Sequence, residues 1–193
     1  RPGSEVLFVG ATGAMETQLV PREGFNIETV TIGSFARGFK PSAIKHNFKV
    51  ARMRRTALKK AREIIEKFRP DVVVGTGGFA SYPAVAAAQK MGIPTAIHES
   101  NVKPGLTTSV LAKKADKIMV GFAEAAAHYK NPERTVVTGT PVREEFIYTK
   151  REDARRRMGI SPDEKLVVSY WGSLGAREMN KCIARVMKME CCD

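Results

Sequence analysis

Short apolar runs at Val6–Val9, Ile27–Val30, Val72–Val74, Pro94–Ile97, Ile118–Val120, Val136–Val137 and Leu166–Tyr170 recur along the chain. Between several of them lie stretches with helical spacing, Ile44–Phe68, Ala80–Met91 and Thr107–Ala115. Strands that alternate with helices imply βαβ units and a mostly parallel sheet. Crossovers in such units are right-handed, so the loops that follow the strands gather on one edge. In open α/β sheets that edge is where ligands bind. The expected fold class is therefore α/β, with candidate chemistry in the strand-end loops.

A length of 193 residues with 43% hydrophobic residues suffices for an ordinary core. No apolar run approaches the roughly 18 residues of a spanning helix, and Arg1-Pro2-Gly3-Ser4-Glu5 carries no apolar signal region, so nothing marks the chain for export. Cys182, Cys191 and Cys192 crowd one end in odd number, which reads as reduced thiols of a cytosolic protein. Cys191 and Cys192 lack His or Cys partners at ligand spacing, so no metal is expected.

A composition break follows Pro141-Val142-Arg143, where a charged stretch with Ser161-Pro162-Asp163 begins. Residues 1–143 are expected to form one domain, and residues 144–193 a linker and the opening of a second. In that second part a short helix is expected around Asp153–Met158, then strand Leu166–Tyr170, a glycine turn, and helix Ala176–Met189. One strand and one helix cannot bury their apolar faces alone. The chain is accordingly read as a fragment whose second α/β domain is nearly all absent.

Nearly all of the formal charge of +12 falls before Glu144. Within Ile44–Phe68, Val50, Met53, Ala57, Ala61, Ile64 and Phe68 form an apolar stripe suited to packing on a sheet. On another face Phe48, Arg52, Arg55, Lys59 and Arg62 follow the same rhythm, widened by Lys45, Lys49, Arg54 and Lys60. Such an unbalanced cationic stripe suits an anionic membrane surface, where each basic residue contributes about 1 kcal/mol. Nucleic acid is disfavoured, because aromatics make up only 7% of the chain and none interleaves usefully with the stripe.

Several loops could carry chemistry. Gly10-Ala11-Thr12-Gly13 follows the first strand, but it is not a Gly-x-Gly-x-x-Gly fingerprint, and a plain turn is expected. Gly75-Thr76-Gly77-Gly78 precedes a helix starting near Ser81, with Pro83 in its first turn. Unpaired amides at such a helix start suit a phosphate or pyrophosphate. The absence of Gly-Lys-Ser/Thr argues against a nucleotide-hydrolysing loop. His98-Glu99-Ser100-Asn101 sits just past strand Pro94–Ile97 and could bind sugar hydroxyls or shift protons; the alternative for His98 is a satisfied structural histidine. Gly105 starts another helix and a second possible anion-facing terminus. Gly139-Thr140-Pro141-Val142-Arg143 ends the first domain with a possible bidentate clamp. Gly172-Ser173-Leu174-Gly175-Ala176-Arg177 is a third strand–glycine–helix turn.

Together, Pro70–Pro83, Ile93–Asn101, Gly105–Thr107 with Leu111–Lys113, Gly139–Arg143 and Gly172–Arg177 closely resemble the MurG family of peptidoglycan glycosyltransferases. Val6–Gly10 with Gly13–Glu16 also fits, so the resemblance runs in order over nearly the whole chain. It implies a GT-B fold: a Rossmann-like N-terminal domain lacking its first strand, followed by the first strand–turn–helix of a second Rossmann-like domain. It also implies transfer of N-acetylglucosamine from UDP-GlcNAc to undecaprenyl-pyrophosphoryl-MurNAc-pentapeptide (lipid I to lipid II) at the cytoplasmic face of the bacterial membrane.

Position by position, the resemblance makes Asn101, Arg143 and Ser173 donor-binding residues, and Gly75, Thr76, Gly77 and Gly78 the acceptor-pyrophosphate turn. His98 and Glu99 become candidate sugar contacts, and Arg52, Arg55 and Lys59 the membrane face. No cofactor and no divalent metal are implied. The family's Thr-Gly-Gly-His loop, with its proposed catalytic base, has no counterpart in this sequence; Trp171 stands for a usual glycine and Ser100 for a common glutamine. The fragment is therefore expected to be inactive by itself. Two other readings remain: a membrane-docking α/β binding module without chemistry, and another GT-B enzyme such as a diacylglycerol glycosyltransferase or a UDP-sugar epimerase.

Overall fold

The structure, a computed structural model, describes residues 3–33, 41–170 and 176–190. It divides into two compact units, Arg1–Pro141 and Val142–Asp193.

In the first unit, strands β1 (Leu7–Ala11), β2 (Asn26–Val30), β3 (Val73–Gly75), β4 (Thr95–Glu99), β5 (Lys117–Val120) and β6 (Thr135–Val137) alternate with helices. The helices are α1 (Glu16–Arg22), α2 (Pro41–Phe68), α3 (Ser81–Met91), α4 (Leu106–Leu111) and α5 (Ala123–Ala126). Every ladder is parallel, as the alternation requires: Leu7 lies opposite Asn26, Val73 opposite Thr95, Ala96 opposite Lys117 and Ile118 opposite Thr135. The expected strands and helices all form in this unit, most with ends moved by a residue or two; α2 starts three residues earlier than expected, at Pro41, and α4 stops at Leu111, four residues short of Ala115. The shift that matters is in β4, which runs on through His98 and Glu99 instead of stopping at Ile97.

The strands make two sheets, β1-β2 and β3-β4-β5-β6. One core nevertheless serves both. Val30 packs with Ala57, Ala61, Ile64 and Ile65 of α2 and Ala87 and Ala88 of α3, and Leu7, Val9 and Val73 lean on the same cluster. The apolar stripe of α2 is thus buried where its spacing puts it, with Ile65 added and Met53 and Phe68 only half-buried. A second cluster, Val85, Ile97, Leu111, Ala115, Ile118, Val120 and Ala125, lies against the larger sheet. Helix α3 buries an unbroken run from Pro83 to Ala88. Its alanines let it approach closely enough that a Cβ built on Gly75 would stand 2.7 Å from Val85 Cγ2.

The second unit contains α6 (Glu144–Tyr148), α7 (Arg151–Met158) and α8 (Arg177–Glu190). Helix α7 ends at Gly159 with φ 69°, the left-handed cap that glycine tolerates without strain. Arg155 is buried and its guanidinium donates to the carbonyls of Ser161 and Glu164, closing the turn behind the helix. Here the sequence expectation needs correction. Residues Leu166–Tyr170 form no strand and are exposed throughout, because a strand needs a neighbour to hold its ladder and none of the described residues supplies one. The turn Trp171–Gly175 lies outside the described residues.

Candidate functional site

The strand-end loops of the first unit converge on a cavity of about 210 Å³. Thr76, Gly77 and Gly78 line one side; Glu99, Ser100 and Asn101, with Gly105 to Thr108, line the other.

The glycine turn is shaped by its backbone. Gly77 and Gly78 have φ of +87° and +70°, a left-handed pair that side chains rarely allow. Helix α3 then begins at Ser81, with Ala80 at the N-cap and no side-chain cap; the Ser81 hydroxyl instead donates to the Gly78 carbonyl at 3.0 Å. Its first-turn amides are therefore not satisfied by a cap, which is the condition for anion binding at a helix start.

Glu99 governs the opposite wall. It is 3% exposed at the end of β4. Its Oε1 accepts from the backbone N–H of Asn101 at 3.0 Å and from Asn101 Nδ2 at 2.7 Å, while Oε2 accepts from the backbone N–H of Gly105 at 2.9 Å. Burial pushes the carboxyl up. Hydrogen bonds from the Gly105 and Asn101 amides, the Thr108 hydroxyl and the Asn101 side chain outweigh that, holding it below the ordinary carboxylate value. The start of α4, read from the sequence as a second anion-facing terminus, is thus occupied by the protein's own carboxylate. A six-residue helix beginning on Gly105 has its leading amide already spent.

His98 has a hydrogen-bond partner within the protein. It is buried, and Nε2 donates to the Gly139 carbonyl at 2.9 Å, joining β4 to the turn after β6. Behind the loop, the hydroxyl of Tyr129 is buried with no hydrogen-bond partner among the described residues. Desolvation, and then the charge of Glu99, push its pKa up to about 12. Neither Tyr129 nor the bracing carboxylate was separable from pattern alone, since both depend on residues far apart in the chain.

Elsewhere, the turn at Gly10 is closed by Glu16, whose Oε1 accepts from the Ala11 backbone N–H at 2.9 Å, in keeping with the plain turn expected there. On α2, Arg52, Arg55 and Lys59 are exposed. Arg54 is not part of that open face: it donates to the Tyr82 hydroxyl and lies 4.2 Å from the centroid of that ring. Arg62 is paired with Glu66 at 2.8 Å. Among the candidate site residues, Gly75 to Gly78, His98, Glu99 and Asn101 come together in the first unit. Arg143 stands exposed at the N-cap of α6 in the second unit, and Ser173 lies outside the described residues. Among the described residues no group of His, Cys, Asp and Glu is arranged to hold a metal ion.

Residues 1–120 match the sequence profile of the glycosyltransferase family 28 N-terminal domain. The chain belongs to glycosyltransferase family 28. This family 28 chain is 38% identical over 187 residues to the UDP-N-acetylglucosamine--N-acetylmuramyl-(pentapeptide) pyrophosphoryl-undecaprenol N-acetylglucosamine transferase of Thermoanaerobacter sp. (strain X514). It is 36% identical over 191 residues to the protein of the same description from Clostridioides difficile (strain 630). In each case 97% of the family 28 chain is aligned, but only 50% and 45% of the relative; the chain spans about half the length of the curated relatives it matches. Among solved structures it resembles Acinetobacter baumannii MurG with a TM-score of 0.51 at 25% identity, covering 74% of this chain and 38% of that one. The resemblance drawn from the loop motifs is thereby borne out. A UDP-GlcNAc 2-epimerase from Neisseria meningitidis, bound to UDP-GlcNAc, shares the fold with a TM-score of 0.52 at 14% identity, over 97% of this chain and 63% of that one.

Proposed function

We propose that this chain is the acceptor-side part of an N-acetylglucosaminyltransferase that moves GlcNAc from UDP-GlcNAc to the undecaprenyl-pyrophosphoryl acceptor of peptidoglycan synthesis. The observation that carries the reading is the alignment of 97% of the chain with relatives bearing that description, together with a built cavity where the aligned loops meet.

In this reading the first unit serves the lipid acceptor and the second opens the donor-sugar domain. The uncapped start of α3, with the Gly77-Gly78 turn before it, receives the acceptor pyrophosphate. Backbone amides and the positive end of the helix offset its charge. Asn101, Arg143 and Ser173 are the proposed donor-binding residues, as the family resemblance assigns them. Glu99 acts through the loop it braces instead of touching sugar as a proton carrier, because its oxygens are already held by N–H donors.

The exposed Arg52, Arg55 and Lys59 seat the unit on anionic lipid at the cytoplasmic face of the membrane, peripherally. No helix among the described residues is long and apolar enough to cross a membrane.

The test is transfer of labelled GlcNAc to a lipid I analogue by a polypeptide that carries this chain at the full length of its relatives. Product with the lipid acceptor, lost on Asn101→Ala, supports the reading. Failure of transfer while UDP-GlcNAc is epimerised would replace it with the epimerase alternative that the shared fold permits.

A further inference from the structure

The side-chain amide of Asn101 has two chemically opposite ends, and which end faces the cavity decides what that wall can bind. An ionised carboxylate only accepts hydrogen bonds, so the 2.7 Å contact with Glu99 Oε1 must come from Asn101 Nδ2. Glu99 also holds the Asn101 backbone N–H and, through its other oxygen, the Gly105 N–H. The loop between them is therefore anchored at both ends on one buried side chain. Among the described residues nothing hydrogen-bonds Asn101 Oδ1, and Asn101 is exposed at the cavity edge.

We propose that Glu99 is a positioning residue that fixes the Asn101 amide with its carbonyl Oδ1 toward the cavity, so that this wall receives hydrogen-bond donors of a neutral sugar and turns away phosphate oxygens. The negative charge directly behind Nδ2 adds to the discrimination, since an anion placed on that side would meet Glu99. The two anchoring features then divide the ligand: the α3 start takes charge, and the Asn101 wall takes hydroxyl or acetamido N–H groups. The ligand class rests on the glycosyltransferase reading above; the polarity of the amide does not.

Nuclear magnetic resonance on the labelled 193-residue chain tests the amide directly. As pH falls, the Asn101 side-chain NH₂ and the Gly105 backbone amide should shift together with the Glu99 carboxyl carbon, at one midpoint. Detection on the carboxyl carbon reads Glu99 itself and not His98, the adjacent residue on β4, and Tyr129, which also faces Glu99, stays neutral throughout. The Asn101 NH₂ hydrogens should exchange with solvent about tenfold more slowly than those of a free asparagine. Glu99→Gln should abolish the common midpoint and release that protection. Asn101 signals that ignore the Glu99 midpoint overturn the proposal even if the variant fails to fold.

Added in turn, N-acetylglucosamine should move the Asn101 and Gly105 signals and inorganic phosphate should not. Movement with phosphate, or with neither, overturns the ligand class. An inactive full-length polypeptide with a fixed Asn101 amide would count against the transferase reading alone, and an active one with a free amide against this proposal alone.

Discussion

His98 Nε2 donates to the Gly139 carbonyl oxygen at 2.9 Å, tying the end of β4 to the turn that follows β6. His98 is only 7% exposed and Gly139 is half-buried, so the ring nitrogen has little water to fall back on. His98→Ala would leave the carbonyl unsatisfied and a void beside it. A loss of about 2–4 kcal/mol is expected from the two effects together. Urea unfolding of the wild type and the variant measures it; a change under 0.5 kcal/mol would mean that the bond does not bear on stability.

Gly75 meets Val85 across the junction of β3 and α3. A methyl at position 75 would stand 2.7 Å from Val85 Cγ2, and a β-branched side chain has little rotamer freedom with which to yield. Gly75→Ala should therefore cost about 1–3 kcal/mol. Val85→Ala alone should also destabilise, because it empties a buried position. The double variant should lose less than the sum of the two, and a thermodynamic cycle on unfolding free energies reads this coupling. Additive losses would show that the clash is relieved elsewhere.

The Tyr129 hydroxyl is buried without a hydrogen-bond partner among the described residues. Tyr129→Phe removes an unpaid desolvation cost, so stability should be unchanged or rise by about 1 kcal/mol. The pH dependence has a definite sign. In the unfolded chain the phenol ionises near its ordinary value of 10, and in the folded protein it does so only at about 12. Folding therefore disfavours the phenolate, and stability falls as pH rises from 10 toward 12. Thermal unfolding at a series of alkaline pH values should show part of this decline in the wild type and less of it in Tyr129→Phe.

The exposed trio Arg52, Arg55 and Lys59 should dominate attraction to anionic vesicles, since Arg54 is engaged by Tyr82 and Arg62 by Glu66. Removing about 1 kcal/mol of attraction per basic residue predicts at least a hundredfold drop in partitioning for the triple glutamate variant. Sedimentation with phosphatidylglycerol vesicles at low salt measures it. An Arg54→Gln control should cause a smaller change, and equal losses from the two would argue against a specific docking face.

The parallel order of strands and helices was legible because both of its signals are local. Apolar runs bounded by glycine and proline mark strands, and three- and four-residue spacing marks α2 and α3. Gly75 to Gly78 was legible for the same reason, since consecutive glycines announce a backbone that side chains would forbid. The expected strand Leu166–Tyr170 failed because composition supplies only half of a strand. The other half is a partner edge, which none of the described residues provides.

By itself, then, the sequence determined which loops would meet at the strand ends and which family the chain resembles, because those properties are written in short contiguous stretches. Only the tertiary structure decided what His98 and Glu99 do there. Side by side on β4, they point to opposite faces. Pattern could name both as polar groups near a ligand. It could not foresee that Gly139, 41 residues on, would take up His98 Nε2, or that Gly105 would return its amide to Glu99. Those partners arrive through the fold, and burial away from water makes their pairing obligatory.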